Sequence, residues 1–277
     1  MSESSNILVP PRLAEGRGIA CRSSGPGFVQ TSLELLVQER HSRRSEFAVV
    51  RADAVEWALS LAPESVDLVV TDPAYESLEK HRAIGTTTRL KHSKSSSNDW
   101  FDIFPNARFP ELFAALYRVL RKNTHLYLFC DAQTLFVAKP AAEAAGFRFW
   151  KPLVWDKQRI GMGYHYRSRY EFILFFEKGK RRLNDLGIAD VIECPRVLKG
   201  YPAEKPVAVS ETLIRQSSEA GDLVIDPFCG SGSAGVAATR LGRTFRGSDI
   251  CAEAVAIAND RVAGTAPGAA LEPEERA

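Results

Sequence analysis

Short apolar runs alternate with amphipathic stretches along most of this chain. The run from Val66 to Thr71 is rich in valine and leucine, which predicts a buried strand, and Pro73 cannot continue its hydrogen-bond ladder. Six further runs predict strands: Phe47–Arg51, His125–Cys130, Trp150–Trp155, Glu171–Glu177, Leu223–Ile225 and Thr244–Asp249. Helices are predicted at Pro110–Arg121, Thr134–Ala145, Val207–Gln216, Ser233–Leu241 and Ala252–Val262. This alternation predicts an α/β fold with a mostly parallel sheet and helices on both faces.

Four segments fall outside the alternation. Residues 1–45 are rich in serine, glycine, proline and arginine, which predicts a flexible N-terminal arm, and residues 266–277 are predicted to be a disordered tail. The domain between them, 46–265, is interrupted at 76–106 and 178–203. With 277 residues, 45% of them hydrophobic, the chain can form one substantial core.

Composition narrows the class of protein. The formal net charge of +2 is too small to indicate a nucleic-acid partner by itself. The five cysteines form no C-x-x-C pair and have no histidine at zinc spacing, so we expect reduced thiols and no bound metal. No run approaches the roughly 18 apolar residues of a membrane span. These features favour a cytoplasmic protein without a membrane partner.

A glycine turn follows the predicted strand at Leu223. Gly230, Gly232 and Gly235 fit the pattern G-x-G-x-x-G, which lets a nucleotide ligand approach the backbone, and the next strand ends in Asp249, a candidate acceptor for ribose hydroxyls. Two classes of ligand fit this pattern: nicotinamide or flavin dinucleotides, and S-adenosylmethionine. A dinucleotide fold opens with such a turn and needs several strands after it, yet only 28 of the 277 residues follow Asp249. The remaining strands must come from upstream.

The order of the two motifs, Asp-Pro-Ala-Tyr at 72–75 and Asp-Pro-Phe-Cys-Gly-Ser-Gly at 226–232, resembles that of the β-class amino-methylating DNA methyltransferases. The likeness covers roughly residues 47–263. It includes four shorter stretches: Arg51–Ala54, Glu204–Pro206, Leu241–Arg243 and Asn259–Arg261. The resemblance implies a Rossmann-like methyltransferase fold with circularly permuted motif order, and makes 46–265 the catalytic domain.

This resemblance also implies a cofactor, S-adenosylmethionine, which becomes S-adenosylhomocysteine, and a set of residues that hold it. The set is Asp53, Ala54, Asp72, Lys205, Asp226, Phe228, Cys229, Gly230, Ser231, Gly232, Asp249 and Ile250. Asp53 is expected to help hold the adenine. Two members have simpler interpretations, since Lys205 could be a surface lysine and Cys229 could merely fit a tight turn.

The motif at 72–75 suits methylation of an exocyclic amine. Such an amine is a poor nucleophile, so a carboxylate, Asp72, and the carbonyl of Pro73 would accept its protons while Tyr75 stacks on the base. The base must be flipped out of the duplex, which costs a few kcal/mol. Methylation at carbon 5 of cytosine needs a cysteine, supplied in that family by Pro-Cys, and this chain contains no Pro-Cys dipeptide.

In the resembling family, aspartate at the first motif position is typical of adenine-N6 enzymes, serine is commoner for cytosine-N4, and asparagine marks relatives that modify protein glutamine or RNA. We therefore predict an adenine-N6 enzyme. Cytosine-N4 methylation is the nearest alternative. A catalytically silent DNA-binding or cofactor-binding protein is another, because Ala74 stands where the family usually has proline. A nicotinamide oxidoreductase is a more distant one.

Basic stretches mark the candidate contacts with double-stranded DNA. They are Lys80, Arg82, Arg89 and Lys91 in the insertion, Arg159, Tyr164, Tyr166, Arg167 and Arg169 farther on, and Arg196. The segment 178–203, where the family places target recognition, is too short for a separate domain. Recognition would then be shared with the DNA-facing loop 76–106 or with a second subunit. Relatives often dimerise, so a homodimer is expected, with a cognate restriction endonuclease as a possible partner.

Overall fold

The computed structural model describes residues 47–77, 102–161, 165–198, 201 and 203–265. The strands are β1 Phe47–Arg51, β2 Val66–Thr71, β3 Leu120–Cys130, β4 Arg148–Asp156, β5 Tyr170–Lys178, β6 Val191–Glu193, β7 Leu223–Asp226 and β8 Thr244–Asp249. The α-helices are α1 Ala54–Ser60, α2 Phe109–Val119, α3 Ala132–Ala144, α4 Val207–Ser217, α5 Ser233–Arg240 and α6 Ala252–Ala263. A short 3₁₀ helix, Asn106–Arg108, precedes α2.

The strands form one sheet in the order β1-β8-β7-β2-β3-β5-β4-β6. β5 runs antiparallel to both of its neighbours, and the other described strands pair in parallel. The prediction of a mostly parallel α/β sheet is therefore confirmed. The permuted order is visible in the pairing of β2 with β7, in which Leu68 lies opposite Val224 and Val69 opposite Ile225.

Helices cover both faces of the sheet. The first cluster packs α1, α2 and α3 against side chains such as Val69 and Leu126, and the second packs α4, α5 and α6 against Leu68 and Tyr127. Successive side chains of a strand point to opposite faces, so a strand covered on both sides must be apolar throughout. This explains why β2 is buried along its whole length. Each such aliphatic side chain stabilises the fold by about 1.5–3 kcal/mol.

The sequence missed an α-helix, an edge strand and the short 3₁₀ helix, and its largest boundary error is at the start of β3. α1 was not predicted because it has only seven residues, and β6, three residues at the edge of the sheet, lies in a segment expected to break the pattern. β3 begins at Leu120 rather than at His125 because its first residues are mostly polar and exposed. The arm at 1–45 and the tail at 266–277 lie outside the described residues. In the described part of the chain, no helix is long and apolar enough to cross a membrane.

Candidate active site

A cavity of about 310 Å³ opens at the carboxyl ends of β2, β7 and β8. Its lining includes thirteen residues that the sequence singled out: Asp53, Ala54, Asp72, Pro73, Tyr75, Lys205, Asp226, Phe228, Cys229, Gly230, Ser231, Asp249 and Ile250. Ligands bind at this edge in open α/β sheets. The cavity has two parts, which we call the cofactor half, built on β1, β7 and β8, and the catalytic half, built on β2, β3, β4 and β5.

The cofactor half is organised by the glycine turn between β7 and α5. The Gly230 N–H donates to Asp249 Oδ2 (2.9 Å) and the Cys251 N–H donates to Asp249 Oδ1 (2.9 Å). Burial raises the pKa of the Asp249 carboxyl. Gly230 has a φ of 49°, in the left-handed region that favours glycine. The turn therefore fixes a carboxylate at the end of β8, facing the cavity.

Gly232 differs from its predicted role as a cofactor contact, since it does not line the cavity. Its φ is 82°, and a Cβ at this position would lie 3.0 Å from Ala258 on α6. Gly235, one turn later, packs closely against β8, because a Cβ added at this position would lie 2.7 Å from Phe245. These two glycines allow α5 to approach α6 and the sheet, a packing role that the sequence pattern alone does not separate from ligand contact.

Asp53 forms the other polar end of the cofactor half. Its carboxylate caps α1 by accepting from the Val55 and Glu56 N–H groups (3.0 and 3.2 Å). It also accepts two hydrogen bonds from Arg108, at 2.7 and 2.9 Å. The hydrogen bond from Arg108 is the main reason that the pKa of Asp53 is lowered. Arg108 was missed because it lies far along the chain, before α2. Its guanidinium lies 5.4 Å from the Phe104 ring centroid.

Two phenylalanines form the apolar wall next to Asp53. The rings of Phe104 and Phe228 meet edge to face with their centroids 5.0 Å apart, and both line the cavity. An apolar wall beside a carboxylate acceptor suits a flat heterocycle that carries an amino group. Phe228 was predicted from the glycine motif, whereas Phe104 belongs to the end of the insertion and was not.

The last helix joins the glycine turn to the segment before α4. Arg261 on α6 donates to Ser231 O and Oγ (2.8 and 2.7 Å) and to Glu204 Oε1 (2.6 Å). Asn259, on the same helix, donates to Val49 O (2.9 Å) and accepts from the Val49 N–H (3.2 Å). The stretch Asn259–Arg261 therefore holds the frame of the cofactor half together.

In the catalytic half, Asp72 is the end of a row of four alternating charges. The Lys205 ammonium forms an ion pair with Asp72 Oδ2 and lies 3.3 Å from Glu171 Oε2, and Lys157 Nζ lies 2.5 Å from Glu171 Oε1. We call Lys157, Glu171, Lys205 and Asp72 the charge row. Lys205 was expected on the cofactor side, but its observed partners are these two carboxylates. Glu171 was predicted only as the first residue of a strand, and Lys157 was not among the candidate site residues.

The acidities within the charge row follow from burial and neighbouring charge. Burial raises the pKa of Asp72, and Lys205 only partly opposes this. Burial acts the same way on Glu171, but Lys205 and Lys157 together outweigh it, so the pKa of Glu171 is lowered. Burial would lower the pKa of Lys205, whereas Asp72 and Glu171 raise it on balance. Lys205 is therefore held firmly as an ammonium ion.

At the boundary between the halves, a side-chain hydrogen bond joins the carboxyl ends of β2 and β7. The Thr71 hydroxyl donates to Asp226 Oδ1 (2.7 Å), which also accepts from the Phe228 N–H (3.0 Å). Burial raises the pKa of Asp226 to about 7. This carboxyl therefore titrates near neutral pH at the point where the two motif strands touch.

The turn after β2 is held despite Ala74. The Ala74 carbonyl accepts from the Phe104 N–H (2.7 Å), and Glu76 Oε1 accepts from the Asn106 N–H (2.6 Å). Tyr75 forms an isolated parallel bridge with Phe104, and burial raises the pKa of its hydroxyl. The end of the insertion thus supplies backbone hydrogen bonds that fix the turn without a second proline.

Exposed basic and aromatic side chains lie at the same edge of the sheet as the cavity. Arg159, Tyr166 and Arg167 are exposed on the hairpin that joins β4 to β5, and Arg196 is exposed after β6. Arg169 differs, because its guanidinium forms two 2.7 Å hydrogen bonds with Asp156. None of these five lines the cavity. The remaining DNA candidates, Lys80, Arg82, Arg89, Lys91 and Tyr164, lie outside the described residues.

Known proteins resemble this chain over most of its described length. The family model for N6/N4 DNA methylases matches residues 66–199 and 184–260. The DNA adenine methyltransferase YhdJ of Escherichia coli K12 is 27% identical over 246 residues, which cover 74% of this chain and 79% of the relative.

Two solved structures share the fold. The complex of M1.HpyAVI with S-adenosylmethionine matches with a TM-score of 0.57 and 24% identity, over 78% of this chain and 99% of that chain. The PvuII DNA methyltransferase, which is cytosine-N4-specific, matches with a TM-score of 0.59 and 16% identity, over 78% of this chain and 88% of that chain. The similar proteins therefore include enzymes for both target bases, and the fold alone does not separate them.

Proposed function

This chain belongs to the N6/N4 DNA methylase family, and from that premise we propose that it methylates the N6 amino group of adenine in double-stranded DNA. Methyl transfer to DNA from S-adenosylmethionine is the activity of the family. The choice of adenine rests on one observation, the carboxylate of Asp72 at the end of β2, lining the same cavity as the glycine turn. In the resembling family, aspartate at this position is typical of adenine-N6 enzymes, whereas serine is commoner in cytosine-N4 enzymes.

The residues of the cofactor half fit a nucleoside with a charged tail. The cavity joins an apolar wall at Phe104 and Phe228 to two carboxylates, Asp53 and Asp249, and both keep free acceptor positions beside their present bonds. We assign the adenine to Asp53 and the ribose hydroxyls to Asp249. When bound, S-adenosylmethionine supplies an electrophilic methyl group on a sulfonium sulfur.

The catalytic half prepares the target amine. Asp72 accepts one of the two amine hydrogens and the Pro73 carbonyl accepts the other, which draws the nitrogen lone pair out of the ring. As the nitrogen gains its methyl group it loses one proton, and we assign that proton to Asp72. A hydrogen bond to a charged group contributes about 1.5–3 kcal/mol. Tyr75 provides the ring on which the flipped base stacks.

The exposed side chains at the same edge of the sheet as the cavity are our candidates for DNA contact. Arg159, Arg167 and Arg196 would neutralise phosphates, and Tyr166, whose side chain is fully exposed, could fill the gap left by the extruded base. Arg169 could contact a phosphate only with the guanidinium N–H groups that are not bonded to Asp156.

The proposal also includes the limits 46 and 265 for the catalytic domain, a homodimer and a cognate endonuclease. Light scattering on cognate DNA tests the dimer.

Nucleoside analysis tests the function. The protein is incubated with unmethylated genomic DNA and S-adenosylmethionine carrying a tritiated methyl group, and the DNA is digested to nucleosides. We expect the label in N6-methyladenine. Label in N4-methylcytosine would contradict the choice of base, and no incorporation at all would contradict the proposed activity.

A further inference from the structure

The charge row poses a problem for the reaction proposed above. Asp72 must accept a hydrogen bond from the target amine, yet its Oδ2 is held by the Lys205 ammonium. A carboxylate paired with a lysine is a weaker acceptor and a weaker base. Both partners are mostly buried, with 26% of the Asp72 side chain and 13% of the Lys205 side chain exposed, so water cannot readily replace the lysine.

Glu171 carries an unsatisfied oxygen beside the same lysine. Its Oε1 accepts from Lys157, whereas its Oε2 is buried and has no hydrogen-bond partner among the described residues. Lys205 Nζ lies 3.3 Å from this oxygen. A buried carboxylate oxygen without a donor is costly, and such an atom in a folded protein calls for a physical explanation.

The pairing of Asp72 with Lys205 and the unsatisfied oxygen of Glu171 can be explained together. The Lys205 ammonium donates a hydrogen bond to Asp72 and forms a longer ion pair, without a hydrogen bond, with Glu171 Oε2. It also lies near the rings of Phe129 and Trp155, 5.6 and 6.0 Å from their centroids, which tolerate a cation in either position. A small shift of the ammonium would satisfy the glutamate and release the aspartate.

We propose that Glu171 is a positioning residue that receives the Lys205 ammonium when the target amine binds Asp72. This inference rests on the proposed function. Glu171 does not touch the substrate. It keeps the buried cation paired during the step in which Asp72 takes hydrogen bonds, and then a proton, from the amine. The lysine returns to Asp72 after Asp72 has released that proton to water.

The charged and titratable groups around this pair fix the expected pH dependence. Asp72 from β2, Tyr75 from the following turn, Cys130 from β3, Lys157 after β4 and Lys205 before α4 all interact with Glu171. Glu171 raises the pKa of Asp72, whereas Lys205 lowers it. Activity requires the Asp72 carboxylate, so it should rise with pH as Asp72 loses its proton. Removing Glu171 should move that rise to lower pH, and removing Lys205 should move it to higher pH.

Single-turnover methyl transfer measured across pH tests the proposal in E171Q, with genomic DNA and S-adenosylmethionine both saturating. Glutamine keeps the shape of glutamate but holds an ammonium ion weakly, so Lys205 stays on Asp72. We expect the plateau rate to fall by about 100-fold, as for a misplaced reacting group. We also expect the acid limb to move to lower pH.

The matched control is E177Q. Glu177 lies on the same strand and is more deeply buried than Glu171, but it is at the other end, roughly 20 Å away at strand spacing, where it accepts from Arg181 N–H and Trp150 Nε1. We expect E177Q to leave the acid limb at its wild-type pH, because Glu177 does not contact Lys205 or Asp72. Thermal unfolding of both variants reports any general loss of stability.

A second measurement does not depend on turnover. The carboxyl carbon of Asp72 is followed by NMR in the free protein labelled at the aspartate Cγ, with D72N identifying its signal. The midpoint of the Asp72 titration should lie lower in E171Q and higher in K205M than in the wild type. K205M keeps this test available if E171Q does not fold.

Three results would overturn the role of Glu171: a wild-type plateau rate in E171Q, a lower rate with an unmoved acid limb, or an unchanged Asp72 midpoint in the NMR titration. A wild-type protein that transfers no methyl group contradicts the proposed function instead, and the role of Glu171 falls with it. An active wild type with an E171Q variant that matches it contradicts the role of Glu171 alone.

Discussion

The two halves of the cavity are built by different means. In the cofactor half, Gly230, Asp249 and Cys251 lie within one stretch of chain, and backbone N–H groups set the position of the carboxylate. In the catalytic half, Asp72 and Lys205 come from distant parts of the chain and meet as side chains. The first half depends on backbone conformation, and the second depends on charge balance. Substitutions should therefore damage binding in one half and chemistry in the other.

The largest expected effect is on chemistry. D72N keeps the shape of the side chain but removes the charge that accepts the amine proton, so we expect kcat to fall by about 1,000-fold or more. The dissociation constant for S-adenosylmethionine, measured by calorimetry, should change by less than about tenfold. D67N is the matched control on the same strand, because Asp67 pairs with Arg121 and the Leu223 N–H away from the cavity. A D72N variant with full turnover would refute the mechanism.

The same contrast explains what the sequence could and could not predict. The strand before Asp72 and the glycine turn before α5 are local patterns, and both were predicted at nearly their observed bounds. Glu171 and Lys157 lie near Lys205 and Asp72 because β5 inserts antiparallel between β3 and β4, and spacing along the chain carries no sign of that placement. Arg108 was missed because its partner, Asp53, lies 55 residues earlier in the chain.

Asp226 lies where the halves join, and its effect is on stability. Burial raises its pKa in the folded protein to about 7, from 3.8 for an unperturbed aspartate. A raised pKa means that the folded state holds the proton more tightly, so this stabilisation is complete below pH 4 and is lost as the pH rises to 7. D226N cannot titrate. As the pH rises from 4 to 7, the free energy of unfolding of D226N should therefore increase relative to that of the wild type, by at most about 1.4 kcal/mol per pH unit.

Denaturant unfolding of both proteins at several pH values between 4 and 8 measures this difference. Thr71 and the Phe228 N–H can still donate to the asparagine oxygen, so the variant should fold. A difference that stays constant with pH would show that Asp226 has an ordinary pKa, and that burial at the boundary is less complete than the geometry indicates.

A smaller effect is expected on cofactor binding. D249N replaces one acceptor oxygen with an NH₂ group, which would face a backbone N–H of the turn, either at Gly230 or at Cys251. Losing a hydrogen bond to a charged group costs about 1.5–3 kcal/mol, so the dissociation constant for S-adenosylmethionine should rise by roughly 10- to 100-fold. At saturating cofactor, kcat should be nearly normal. D222N is the control, since Asp222 accepts from the Glu219 N–H before β7.

The smallest expected effect separates packing from ligand contact within the glycine turn. G232A places a Cβ 3.0 Å from Ala258 on a residue with a φ of 82°, so we expect a loss of stability of about 1–3 kcal/mol. Gly221 provides the control because its φ is 88° but a Cβ there would meet nothing within 4 Å. G221A should lose only the conformational part, about 1–2 kcal/mol.

The difference between these two alanine variants isolates the contact between α5 and α6. Since Gly232 does not line the cavity, G232A should bind S-adenosylmethionine with nearly wild-type affinity when assayed well below its melting temperature. Thermal unfolding and calorimetry measure the two quantities separately. If G232A lost affinity without losing stability, Gly232 would be a cofactor contact as the motif suggests, and the cofactor half would depend on one more backbone position than its geometry assigns to it.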